Sequence, residues 1–226
     1  MLFQHLHFYS MHSHKLVILS LCFSVKMNRQ LSTALSDAIL SYVSYAAAYK
    51  TMSTNTSATV GFVIIGTAAF IGTIRFGLQN PRTDIISFHK FLSWMGSAIA
   101  VPYIAAAYHK QESSNLLASV HIVSGFALVA TQKFLSERQK RLCTEAVSSY
   151  AVISILTLSL VTSNNAGAFG AICYVIAGLI VGTDGHISIV PRVDIFHYVL
   201  VIATLSLMQG LRRGPEPVFF TPPVTQ

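Results

Sequence analysis

Seven stretches of this chain are apolar enough, and nearly or fully long enough, to cross a membrane, and that repetition leaves few folds open. They run over residues 32–49, 58–78, 85–108, 116–132, 146–162, 166–183 and 195–211. A helix rises about 1.5 Å per residue, so about 20 apolar residues cover a hydrocarbon core about 30 Å thick. Within lipid every backbone N–H and C=O must be satisfied inside the segment, which favours helices. Composition agrees: 53% of the residues are hydrophobic and 10% are charged, where a soluble domain carries about 25% charged residues. The sequence therefore predicts an all-α polytopic membrane protein with seven transmembrane helices and the lipid bilayer as its surroundings.

The net charge of +7 does not point to nucleic acid. Nucleic-acid binding needs a clustered basic face with groups that read or stack on bases. Here the 15 lysines and arginines sit between the apolar runs, as topology signals do. Of the fourteen from Lys26 onward, ten fall on the side that bears the segment before the first span, from Lys26 and Arg29 to Arg192, and four on the other. Cytoplasmic loops hold the excess of basic residues, so that side is expected to be cytoplasmic. Cys22, Cys143 and Cys173 form no CxxC and read as small apolar packing residues.

Three regions follow. Residues 1–26 contain an apolar run of only 11 residues, "KLVILSLCFSV", which is short for a span; they read as a dispensable N-terminal extension. Residues 27–211 form the seven-helix domain, and 212–226 are a Pro-rich C-terminal tail. The fifth and sixth spans are separated only by "SNNAG" and should form a tight antiparallel hairpin.

The chain also repeats itself. "PRTDIISFH" at 81–89 returns as "PRVDIFH" at 191–197, with Pro, Arg, Asp and Ile at an offset of 110 and the histidine at 108. Asp37, Ser41 and Tyr42 meet Glu145, Ser149 and Tyr150 at 108. A near-constant offset is the mark of duplication. It pairs the first three spans (repeat one, 32–108) with the last three (repeat two, 146–211) and leaves the fourth (116–132) as a linker helix. A three-span unit has odd parity, so one linker span restores its orientation. This gives a 3+1+3 parallel internal repeat. The layout resembles the SWEET sugar transporters and their PQ-loop relatives, whose repeats are related by an axis along the membrane normal. The resemblance is one of layout: the spans carry no Pro-Gln motif, and no binding residue follows from it.

Ionisable residues inside a membrane are costly and are functional candidates by default. Asp37, Arg75, His89, Glu145 and His197 are placed by this topology at similar depth, and form the candidate polar cluster, with His186 near them. Asp37, Ser41, Ser44, Tyr45 and Ala48 share one helix face. Asp84 and Asp194 read as helix caps, since Asp is a preferred N-cap. Plainer readings stand beside these. Arg75 snorkels to the headgroups or pairs with Asp37 to fix helix register; the histidines anchor the interface. His121 reads as a partner in an interhelical hydrogen bond.

No catalytic residue or metal ligand set is legible, and no cofactor is expected. His197 has valines at 193 and 201, so the last span has no i, i+4 histidine pair. Glycines lack the phosphate-binding spacing. The best reading is a multi-pass protein that is a small-solute transporter-like or ligand-binding helical bundle. The alternatives are a non-catalytic structural or accessory membrane protein, and an intramembrane His/Asp metal or haem protein.

Overall fold

A computed structural model describes residues 31–212. The extension 1–26 and the tail beyond Arg212 lie outside the described residues. Helix α1 covers residues 31–51, and α2 covers Thr56–Gly77. Helix α3, Thr83–Met95, continues through a π-helical turn, Gly96–Ala100, into α4, Val101–Gln111. Helix α5 is Asn115–Thr131 and α6 is Glu137–Val161. Helix α7, Asn165–Val175, continues through a second π-helical turn, Ile176–Val181. Helix α8 is Arg192–Leu211. With α3–α4 and α7 each counted with its π turn as one rod, these are seven helical rods. Five of them are long and apolar enough to cross a membrane, and Asn165–Val181 is a shorter apolar helix.

The short linkers make successive rods antiparallel. Asn55 caps α2 by accepting from the Ala58 N–H. Ser136 and Gln139 form a capping box on α6, which satisfies two free donors of the first turn. Asn164 accepts from the Gly167 N–H to start α7, so the "SNNAG" linker turns tightly and α6 packs along α7. The "TDGHISIVPRVD" linker holds a two-residue antiparallel strand pair, β1 (His186–Ile187) and β2 (Val190–Pro191).

Helix α4 is the axis of the bundle. Val101, Pro102, Ile104, Ala105, Ala106, Ala107, Tyr108 and His109 are all buried, and a helix apolar all round belongs in an interior. It packs on α2, α5, α6 and α8, and its small residues let those backbones approach. The π turn before it has a local cause. Pro102 has no N–H to give the Ala98 carbonyl four residues back, while the Val101 N–H reaches the Gly96 carbonyl five back. Gly125 of α5 comes close to that Ala98 carbonyl: a Cβ on Gly125 would stand 2.7 Å from it. The main core gathers Leu40, Phe62, Ile104, Ile155 and Leu207, one residue from each of five helices.

Candidate functional site

At one end of the bundle α1 begins, α2 ends, and α3 and α8 begin. Four of the five predicted cluster residues meet there. Helix α1 turns a polar face inward: Thr33, Ser36, Asp37, Ser41 and Ser44 are all buried. Tyr45 of the same stripe is 40% exposed and bonds to Thr67 of α2.

Asp37 sits at the centre, 1% exposed. Its Oδ1 is 3.4 Å from Nε2 of His197. Its Oδ2 is buried and has no hydrogen-bond partner among the described residues. Nδ1 of His197 is 3.0 Å from Ser36 Oγ, and that hydroxyl already donates to the Thr33 carbonyl. Ser36 therefore accepts, and His197 donates through Nδ1. A neutral imidazole then has only a lone pair at Nε2. One proton must lie between that lone pair and the Asp37 carboxyl, on one group or the other.

On the second side stands His89. Arg75 Nη1 is 2.8 Å from His89 Nδ1; a guanidinium only donates, so His89 accepts there and carries its proton on Nε2. That nitrogen lies 3.3 Å from Ser93 Oγ. Gly72 of α2 fits between His89 and Asp37: a Cβ there would collide with Asp37 Oδ2 and stand 2.8 Å from His89 Nε2. Arg75 thus reaches His89 rather than Asp37, and its guanidinium lies 4.7 Å over the Phe76 ring. The direct Asp37–Arg75 ion pair is replaced by a histidine between the two.

Three expectations are corrected. Asp194 does not cap α8: the cap position is Pro191, without a side-chain bond, and Asp194 is in the first turn. It is 0% exposed and accepts from Ser32 Oγ at 2.5 Å and Thr33 Oγ1 at 2.6 Å. Its two oxygens tie the start of α1 to the start of α8, in the turn where a negative charge suits the helix dipole. Asp84 is not at the cap position of α3 either, which Arg82 holds without a side-chain bond; from the first turn its carboxylate accepts from the Ile85 N–H and pairs with Arg82 on the surface. Glu145 lies apart from the cluster, 60% exposed and ion-paired to Arg141 one turn back. His186, on β1, is exposed as well.

The serines and threonine that start α1 were not anticipated. Their signal was the pattern Ser32, Thr33, Ser36 and Asp37 at i, i+1, i+4 and i+5, one polar strip on a helix. Among the described residues no three His, Cys, Asp or Glu side chains gather in a metal-holding group.

A multi-pass bundle with a buried acid–histidine cluster at one end matches a family over most of its length. The model of DUF6962, a family of unknown function, matches residues 32–216. The chain belongs to the DUF6962 family. Its relatives include transmembrane protein 276 of Homo sapiens, 23% identical over 187 residues, covering 82% of this chain and 94% of that one. The Rattus norvegicus protein of that name is also 23% identical with the same coverage. The Bos taurus protein is 25% identical over 173 residues, 75% of this chain and 86% of its own. No solved structure matches. The family match and the apolar helices make this a multi-pass membrane protein.

Proposed function

We propose that this chain is a small-ligand-binding helical bundle with a transporter-like layout, and that Asp37 is the group its ligand engages. The observation that carries the reading is the orphaned Asp37 Oδ2 at the meeting of four helices. Every other polar partner of the cluster, Asp194, His197, His89, Arg75 and Ser36, has a bond of its own. A buried carboxylate oxygen left unmatched is costly, and ionisable groups in membrane helices mark ligand or proton pathways. The proton held between Asp37 and His197 is the one a cationic ligand would displace.

The 3+1+3 parallel repeat belongs to the same proposal. Its support is that His89 and His197, equivalent by offset, approach the same carboxylate from α3 and α8. The absence of Glu145 from the cluster makes the site one-sided: repeat one supplies the acid, and repeat two supplies a histidine and a docking carboxylate.

A second reading, an accessory protein whose cluster only fixes helix register, draws on the tight fit at Gly72. The two readings part on one experiment. Native mass spectrometry of the full chain released from lipid, titrated with sodium, potassium and ammonium, should give an adduct in the wild type. Asp37→Asn should lose it while melting within a few degrees of the wild type. No adduct in the wild type, with Asp37→Asn only less stable, favours the accessory role.

A further inference from the structure

A second buried polar group lies at the opposite end of the bundle, where α4 ends and α5 begins. His109 of α4 and His121 of α5 are 4% and 0% exposed. Both point their Nε2 atoms at one hydroxyl, Ser154 Oγ of α6, at 2.6 Å and 3.0 Å. The imidazoles are near-parallel, 5.3 Å apart, and Tyr150 of α6 stacks on His121 at 4.7 Å. Both Nδ1 atoms are buried with no hydrogen-bond partner among the described residues. Nearby Lys110 is turned away, its Nζ bonded to Ser57 of α2.

Hydrogen counting decides what this group can do. A serine hydroxyl has one proton and can accept others. With both rings neutral, one histidine donates through Nε2 to Ser154, and Ser154 donates to Nε2 of the other. The first ring then has a bare lone pair at Nδ1, and the second has an N–H there. The reverse assignment satisfies the same bonds equally well. The group has two states of matching connectivity, related by moving protons along His109–Ser154–His121. A metal held by both Nε2 atoms fits less well, because both Nδ1 atoms would then be buried donors without acceptors.

We infer that His109, Ser154 and His121 form a proton relay at the end of the bundle opposite Asp37, with the proton as its ligand. The relay turns over when water reaches the two buried Nδ1 atoms: a hydronium then delivers a proton to Nδ1 of His109. The Nε2 proton of His109 moves to Ser154 Oγ, and the Ser154 proton moves to Nε2 of His121. The Nδ1 proton of His121 leaves to water. The three side chains end with as many protons as they began with, in the opposite tautomers. This inference does not rest on the ligand-binding reading of Asp37.

The test is 15N NMR of the full chain, labelled at histidine, in lipid vesicles. The wild type should show His109 and His121 each exchanging between both tautomers, together and at one rate. Ser154→Thr, which keeps the hydroxyl, should preserve the exchange; Ser154→Ala should abolish the coupled exchange. If each wild-type ring holds one fixed tautomer, or if Ser154→Ala leaves the exchange unchanged, the relay is wrong. Should the alanine variant fail to fold, the wild-type and threonine spectra decide the matter alone.

Discussion

Residues 81–89 and 191–197 are near copies in sequence, yet one lies on the surface and the other is built into the bundle. In the first, Asp84 keeps 61% of its side chain exposed and pairs with its neighbour Arg82. In the second, Asp194 is fully buried and holds two hydroxyls of α1. Both aspartates are in the first turn of their helices. What separates them is what stands opposite. The start of α1, with Ser32 and Thr33, is laid against α8. The histidines behave differently again: His89 and His197 both flank Asp37, one held by Arg75 and the other by Ser36. A motif written twice therefore shares a position along its helix, and the third partner fixes its job.

Substitutions sharpen that contrast. Asp194→Ala should have the largest effect. It strips one buried and one half-buried hydroxyl of a carboxylate acceptor, with each such bond worth about 1.5–3 kcal/mol, so a loss of about 3 kcal/mol is expected in unfolding from mixed micelles. A loss below about 0.5 kcal/mol, the size expected of surface changes, would break the comparison. Next comes Gly72→Ala, which must push Asp37 or His89 aside; overpacking costs about 1–3 kcal/mol, read by the same assay. His197→Ala should cost more than His89→Ala, because His197 is buried and bonds directly toward Asp37 while His89 is only half-buried. Equal losses would mean that the two copies are used alike. The smallest effects belong to Asp84→Ala and Glu145→Gln, both within about 0.5 kcal/mol, since exposed ion pairs contribute little.

Much of this architecture was legible in the sequence because span length and hydropathy are set by the bilayer, not by neighbouring helices. The seven rods followed from that, as did the tight turn at "SNNAG". Depth was legible too: Asp37, Arg75, His89 and His197 do share one end. Azimuth was not. Glu145 lines up with Asp37 at the sequence offset of 108, but it turns away from the cluster toward Arg141. The cap expectation fails at Asp194 because the cap rule sees only local backbone donors, whereas its partners lie 161 and 162 residues away. Pro102 was a visible signal for the π turn at Gly96–Ala100. The second π turn, Ile176–Val181, has no proline within it, and its cause is not apparent from the local sequence.

The central claim is that the aspartate of the second motif docks α1 onto α8 as a buried carboxylate, while its counterpart in the first motif, Asp84, reaches no other helix. A pair of double-mutant cycles tests it most directly. One combines Thr33→Ala with Asp194→Asn, and the other combines Arg82→Ala with Asp84→Asn, with stability read in lipid micelles. Residues in contact couple by about 0.5–3 kcal/mol, and independent sites add within about 0.3–0.5 kcal/mol. The predicted result is a coupling of at least about 1 kcal/mol for Thr33 with Asp194, at the charged end of the range for membrane hydrogen bonds, and no more than about 0.5 kcal/mol for the exposed pair Arg82 and Asp84. Additivity between Thr33 and Asp194, or equal coupling in both cycles, would contradict the claim.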